Sequence, residues 1–562
     1  MTSGILLDWL DKPVSNAGIR FLDQQSMWRR HTYDELAGLV NGMATRLLEA
    51  GLRRGDIVPI MVPAGPEFVA SFFGVLCAGG TPTVLPLRWA LQDADGHVAH
   101  LSAIAAVVQP RIGIATPDNR DTLAAAGADE LLILDPEAPA EFRTVRRAPA
   151  ELALLQFTSG SRGRPRGVRL PWESVQANLA MIQEWNGLTT HGGVSWLPLY
   201  HDMGLIGGLL SPLTKQVEHA MMRPEHFIRS PVNWLMEYGT GQYPSMCMPN
   251  FGFARVLRTV RPLHLEGADF SHVHTMISGA ERIDPAVFGR WLSLLEPFGF
   301  RAEALAPAYG LAEATLAVTG VRRNELATMV RVDGVERELG QKVKIVDQVR
   351  VSSVSVADPR SWHVGCGRPL PGIEVRLIDD DGTVLGNDLL GEIMVRGPSV
   401  ADGYTEPGDE VSPFADGWLR TGDAAFRHDG ELFVVGRLGD RVKINGRSVF
   451  VEDIEIELST FGWAESRRLA VIGGVFRGRT TIVVLIERNY REHLELITKV
   501  VGEFTGPNAD IIVWRVRAGG IPVTSSGKPR RRVAWTRYLT GQLGGAALTE
   551  TQSVDEQPGA ER

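Results

Sequence analysis

Cysteine is scarce in this 562-residue chain. Cys77, Cys247 and Cys366 are odd in number, far apart and free of any Cys-x-x-Cys pair. They fit a reducing cytosol and leave open a buried or a reactive thiol. Long apolar runs are missing too. The most apolar window, residues 68–85, is broken by Gly79-Gly80-Thr81-Pro82, well short of a membrane-spanning helix. Residues 1–9 have no basic start and no small-residue cleavage site, so no signal peptide and a cytoplasmic location are expected. Positive charge is not in excess: 58 Lys and Arg stand against 66 Asp and Glu, a net charge of -8, and the arginines are dispersed. That argues against nucleic-acid binding. No Gly-x-Ser-x-Gly elbow occurs, and neither His97 with His100 nor His272 with His274 has Cys or carboxylate partners at ligand spacing. Neither a serine-hydrolase site nor a structural metal is expected.

What is present is the make-up of a soluble globular protein, 44% hydrophobic and 22% charged, and too long for one ordinary core. Thr32 and Glu35 have capping-box spacing ahead of Leu36, Leu39, Val40, Met43, Leu47 and Leu48, with Gly51 as the stop. This predicts an amphipathic helix marked at both ends. Residues 57–62 read as a buried strand and 66–78 as a helix. The alternation continues through 103–108 and 152–157, which predicts α/β layers around a largely parallel sheet. After residue 365 come short strands, 373–378, 391–396 and 431–436, split by Asp-Gly and Gly-Pro turns, a β-rich subdomain. Beyond 436–440 lie a helix at 454–458, strands at 470–472 and 481–486, and a helix at 493–503. The expected division is a large α/β N-terminal domain over 1–438, a smaller α+β domain over 439–543, and a disordered tail over 544–562 that is rich in Gly, Glu and Gln. No internal repeat is visible.

Residues 155–167 read Leu-Gln-Phe-Thr-Ser-Gly-Ser-Arg-Gly-Arg-Pro-Arg-Gly. Glycines let several backbone N–H groups converge on one anion, hydroxyls add donors, and arginines add charge and bidentate geometry. Such a loop suits a polyphosphate, though it lacks the Gly-Lys-Ser/Thr of a Walker loop and, taken alone, is equally an ordinary loop. Further signatures follow in order: Trp196-Leu-Pro-Leu-Tyr-His-Asp-Met-Gly204, Ser278-Gly-Ala-Glu281, Tyr309-Gly-Leu-Ala-Glu313, Trp418-Leu-Arg-Thr-Gly-Asp423, Gly436-Arg437 and Ser525-Ser-Gly-Lys-Pro-Arg530. Together they resemble the adenylate-forming superfamily of acyl-CoA synthetases, peptide-synthetase adenylation domains and luciferases, from about residue 30 to 540. Residues 195–205, Met248-Pro-Asn-Phe-Gly-Phe253 and residues 446–455 are similar to fatty-acyl-AMP ligases.

The resemblance implies a reaction in which a carboxylate attacks the α-phosphorus of ATP and pyrophosphate leaves. Thr158, Ser159, Gly160, Ser161 and Arg162 would hold the β- and γ-phosphates; Arg166 stands where many relatives carry Lys. Tyr309 and Gly310 would lie against adenine, whose edge Ser278, Gly279, Ala280 and Glu281 would read. Glu313 would hold Mg²⁺, Asp423 the ribose hydroxyls, and Arg437 the ribose or α-phosphate. Lys528 would be the catalytic cation brought in by the small domain, and His201 would orient the acyl chain against the adenylate. Trp196, Trp234, Phe251 and Phe253 would line or support an apolar acyl tunnel. Each has a plain alternative: a core Tyr309, a Glu313 that opens a helix, a turn Asp423, a surface pair for Arg437, a solvated Lys528, core aromatics.

The resemblance further implies a medium- or long-chain fatty acid. Amino-acid enzymes place an aspartate after a segment that here reads 234–238 without one. The expected acceptor is the phosphopantetheine thiol of an acyl carrier protein, as in polyketide or lipopeptide biosynthesis. The extra residues between 320 and 365 include 343–346 and 349–356, apolar and β-branched enough for strands. By resemblance they dock on the mobile domain, which would pivot about 438–440, while Arg530, Arg531 and Arg532 could face an acidic carrier. Two alternatives stay open: a synthetase that uses free CoA, and a non-catalytic adenylate-binding protein.

Overall fold

Thr32 caps the helix Tyr33–Glu49 as its spacing predicts. Its hydroxyl accepts from the Glu35 N–H while the Glu35 carboxylate accepts from the Thr32 N–H. Leu36, Val40, Met43 and Leu47 form the buried stripe; Leu39, counted among them from sequence, points outward and is 38% exposed. The stripe packs on the helix Pro66–Ala78. In a computed structural model of the chain, residues 5–549 are described except 89–93, 128–130, 138–142, 159–164, 334–337, 353–360, 406–411, 445–446, 462–467, 489, 507–508 and 525–526.

The two helices adjoin a parallel sheet in the order Thr81–Val84, Ile57–Met61, Ile112–Ala115, Leu132–Leu134. Residues 103–108, expected to carry on the strand–helix alternation, are instead the last turns of the helix Ala94–Val108. Apolar content alone does not separate a buried helix end from a strand. A second sheet runs Trp28–Thr32, Gly18–Leu22, Glu218–Met221, His191–Ser195, parallel after its first pair. A third holds Ser245–Met248, Thr275–Ser278 and Leu305–Gly310 in parallel, closed by the antiparallel Ala317–Gly320. The sheets are therefore more mixed than expected. Leu152–Thr158 in particular pairs antiparallel with Arg166–Pro171, so the Ser/Gly/Arg loop joins a hairpin and does not follow a parallel strand. One continuous apolar core threads these layers.

The β-rich part is antiparallel: Glu374–Ile378, Gly391–Arg396, Trp418–His428 and Glu431–Arg437. Between it and the third sheet, Thr328–Asp333 pairs with Lys344–Arg350 and Trp362–Val364. The strand expected over 349–356 ends at Arg350, and 353–360 lie outside the described residues.

After Arg441 the chain builds its own cores. Leu469–Phe476, Arg479–Ile486 and Ala509–Arg515 form a sheet whose alternation sends Val471, Ile482 and Val484 to one face and Ala470, Ile472, Val483 and Leu485 to the other. The helices Val451–Thr460 and Leu494–Thr505 cover the first face, and Arg531–Leu539 covers the second. The architecture is a large α/β N-terminal domain with a β-rich part and a smaller α+β C-terminal domain, the predicted class. Part of the expected tail over 544–562 is ordered, and 550–562 lie outside the described residues. Ala546–Ala547 pairs with the edge of Ala509–Arg515, and Leu548 N–H donates to the Val513 carbonyl (2.8 Å). Among the described residues no helix is long and apolar enough to cross a membrane.

Candidate active site

The three parallel strands of the third sheet end at one edge, and the chain leaving each of them carries predicted site residues: Phe251 after Ser245–Met248, Ala280 and Glu281 after Thr275–Ser278, Glu313 after Leu305–Gly310. Ligands of α/β sheets bind beyond such carboxyl ends. These residues open on a cleft of about 870 Å³ that also receives Thr158, His201, Asp423, Arg437 and Lys528. Residues scattered over 370 positions thus share one space.

Local contacts set each group. Tyr309 Oη donates to Asp423 Oδ2 (2.7 Å), and Arg437 Nε pairs with Asp423 Oδ1 (3.2 Å) because the strands Trp418–His428 and Glu431–Arg437 place 423 opposite 437. Burial raises the Tyr309 phenol well above its ordinary pKa, so it stays a donor. Glu313 sits in a short 3₁₀ turn, not at the start of a helix. Its carboxylate accepts from Tyr404 Oη (2.8 Å), whose ring carries the Arg166 guanidinium at 5.4 Å. Ala280 takes a left-handed φ of +65°, a conformation rare for a residue with a Cβ and frequent at functional sites.

Lys528 lies in a tight turn in which its N–H donates to Thr524 Oγ1 (3.1 Å) and Gly527 takes φ +83°. Its amine donates to the Ala280 carbonyl, bridging the small domain to the large one. The side chain is exposed to the open cleft, yet protein on both sides thins the surrounding water and lowers its pKa; Glu281, Asp202 and Asp423 oppose that shift. His201 is held neutral, its pKa pushed down to about 3 by burial and by the Lys528 charge. Burial raises the pKa of Asp202, whose carboxylate accepts from Met203 N–H.

Behind the cleft runs a much narrower slot of about 90 Å³, walled by Val194, Met203, Met246, Ile277 and Leu316 among others. Slot and cleft share Asp202, Ala280, Ala308, Tyr309 and Gly310. A Cβ on Gly310 would lie 1.9 Å from the Leu316 carbonyl oxygen, so only glycine fits the junction. Among the described residues, the only carboxylate in the slot wall is Asp202, at that mouth.

Other predicted residues fall elsewhere. Trp196 and Trp234 line neither space. Trp196 stacks on Phe227 at 3.9 Å and Trp234 meets Phe227 edge-on at 5.4 Å, both fully inside the core, as is Phe253. They are core aromatics that support the slot wall, while Phe251 faces the cleft. Gly279 lines the slot, and Ser278 is buried beside it. Ser159, Gly160, Ser161 and Arg162 lie outside the described residues. Arg531 does not face outward toward a carrier: it is enclosed by Asp440 (3.0 Å), Glu452 (3.1 Å) and Glu455 (2.7 Å). Around this cluster burial lifts the Glu452 pKa to about 7.

Sequence reasoning missed Tyr404, which no motif marks; it reaches Glu313 because Gly403–Tyr404 pairs with Arg166–Pro171. It also missed the buried pair between Arg282, directly after the Ser278–Glu281 motif, and Asp453 of the small domain. Among the described residues no three His, Cys, Asp or Glu gather as a metal cage. A lone Glu313 carboxylate nevertheless fits a cation that takes most of its oxygens from phosphate and water.

The family described as AMP-binding enzyme matches residues 15–405. Relatives include the 4-hydroxyphenylalkanoate adenylyltransferase of Mycobacterium marinum, 30% identical over 86% of this chain and 82% of that protein. The medium-chain-fatty-acid–acyl-carrier-protein ligase JamA of Moorena producens is 30% identical over 91% and 90%. A structure from studies of fatty acyl-adenylate ligases of E. coli and L. pneumophila superposes with a TM-score of 0.82 at 30% identity, covering 95% of this chain and 97% of that one.

Proposed function

The chain belongs to the AMP-binding enzyme family, and from that premise we propose that it activates a medium- or long-chain fatty acid as acyl-AMP, releases pyrophosphate, and passes the acyl group to the phosphopantetheine thiol of an acyl carrier protein. One observation carries the reading: the slot and the cleft meet at Asp202, Ala280, Tyr309 and Gly310, and the Lys528 amine reaches that meeting point. A fatty acid seated in the slot presents its carboxylate there, and ATP in the cleft presents its α-phosphate.

The carboxylate oxygen then attacks the α-phosphorus, and the bond to the pyrophosphate oxygen breaks. Lys528 supplies positive charge where negative charge builds between carboxylate and phosphate. Asp423 and Arg437 hold the ribose side, and Tyr309 flanks the base. The neutral His201 orients and takes no proton. Bound at Glu313, Mg²⁺ would neutralise phosphate charge, with Tyr404 fixing the Glu313 carboxylate. Among the described residues the slot wall offers no carboxylate beyond its mouth to pair a substrate ammonium, which favours a fatty acid over an amino acid.

For thiol transfer the small domain would swing about Leu438–Asp440. Phe450 of that domain is buried in one apolar cluster with Val330, Val332 and Val343 of the inserted segment, and Glu338 accepts from Ser448 Oγ (2.8 Å). Rotation must break these contacts, which supports a preference for a large carrier over free CoA. With ATP, acid and both acceptors at matched concentration, mass spectrometry should find acyl-carrier product in large excess. Efficient acyl-CoA formation would move the chain to the CoA-synthetase branch.

A further inference from the structure

The small domain is seated on the large one beside a cluster of ionisable groups at the pivot. From the helix Arg531–Leu539, Arg531 reaches Asp440 of the pivot and both Glu452 and Glu455 of the helix Val451–Thr460. Across the seam, Arg282 of the large domain pairs with Asp453 and lies within the field of Glu452 and Asp284. Five carboxylates thus share two enclosed guanidiniums. Arg532 lies over Gly439, where a Cβ would sit 2.7 Å from its Nη2, but it is exposed and water screens its charge. The cluster also aims the catalytic cation, because Arg531 opens its helix directly after the turn that carries Lys528.

Glu452 holds the least settled place in the cluster. Its Oε1 pairs with Arg531 (3.1 Å), while its Oε2 is sealed from solvent with no hydrogen-bond partner at normal geometry. Oε2 faces the large domain: a Cβ on Gly436, in the strand Glu431–Arg437, would lie 3.5 Å from it. An unpaired oxygen in such a place is costly for a carboxylate and far less so for the neutral acid. Burial, opposed by Arg531 and helped by Asp440 and Glu455, lifts the Glu452 pKa to about 7. Once the small domain swings away from Gly436 and Arg282, Oε2 meets water and the group returns toward an ordinary glutamate, about 4.3.

Resting on the two-pose reading above, we propose that Glu452 is a positioning residue whose proton sets the balance of poses: neutral, it lets the small domain seat with Lys528 at the junction, and ionised, it favours the swing toward thiol transfer. The seated pose binds the proton more tightly. Its advantage is therefore full below the ordinary glutamate range and is lost as pH rises through about 7.

Dyes on Leu263→Cys and Val475→Cys, two exposed positions on different domains, report the pose by energy transfer in the unliganded full-length protein. The ratio of swung to seated molecules should rise about tenfold from about pH 6 to pH 8 and then level off. In Glu452→Gln, whose amide cannot ionise, it should stay flat. The ratio of adenylation to transfer rates should fall over the same interval in the wild type relative to the variant. A swung fraction that does not change with pH in otherwise wild-type protein would overturn the inference, whether or not the variant folds. So would the same pH course in a folded variant. No acyl-AMP from any acid would instead defeat the fatty-acid reading, and the energy-transfer ratio would still be read.

Discussion

The slot and the cleft meet at five residues and are built by opposite means. The slot is formed by what backbone layers leave between them: strand interiors, a wide helical turn over Met203–Leu210, and glycines where a side chain would collide. The apolar side chains of its wall, Ile182, Val194, Met203, Met246 and Ala317 among them, belong to the main core. The cleft is formed by charged side chains on loops and strand ends, and its two sides come from different domains, each with a core of its own. A rigid hole can select by length and shape. A jaw with one mobile side can bring a cation to the reacting atoms for one step and remove it for the next.

The sharpest way to break that contrast is Lys528→Ala. Loss of one preorganised transition-state donor typically costs about 10²–10³ in rate, so the acyl-AMP burst should nearly vanish while ATP binding by calorimetry stays close to wild type. An unchanged burst would make Lys528 a bystander. Its pKa is lowered by desolvation, so the amine loses charge as pH rises through a value below the usual lysine range. The alkaline limb of adenylation should therefore come early, and Lys528→Arg should move it upward.

Next in size is Arg282→Ala. Arg282 and Asp453 are almost wholly buried at the seam between the domains, and removing one partner of a buried pair strands the other charge. Adenylation should slow by about tenfold or more, while transfer from preformed acyl-AMP to a thiol, which needs the other pose, should suffer less. Equal losses in both half-reactions would make the pair a general prop. Glu313→Gln should then shift the Mg²⁺ titration of activity to higher concentration, since an amide is a poorer ligand for a hard cation; a curve that does not move would leave Glu313 structural. The smallest step belongs to the slot. Each added methylene should strengthen acid binding by about 0.8 kcal/mol, roughly fourfold, until the slot ends. Acetate and dodecanoate turned over alike would mean that the slot does not hold the chain.

The same contrast explains what was legible in the sequence. Helix Tyr33–Glu49 was, because a capping box and a 3.6-residue stripe are local. Residues 309, 313, 423, 437 and 528 were, because each sits in a short motif whose loop chemistry travels with it, and the fold brings them to one space. Lys528 on its own would have read as one more solvated lysine. Tyr404 was not legible: its contact with Glu313 depends on which strand it pairs with. Trp196 and Trp234 were expected to line or support the tunnel, with core packing as the alternative, and only packing shows that they lie one layer behind the wall. The slot left no pattern at all. Val194 and Ile277 are 83 positions apart, and nothing in their spacing says that they share a cavity.

The central claim is that an acid held in the slot is joined to AMP at the junction, with no thiol required. One turnover settles it: enzyme, ATP, Mg²⁺ and a long-chain fatty acid, without CoA or carrier protein, followed by mass spectrometry for acyl-AMP and a count of pyrophosphate. The account predicts acyl-AMP and pyrophosphate in a one-to-one ratio, up to one per enzyme. Pyrophosphate release that waits for CoA, or no acyl-AMP from any acid, would contradict it.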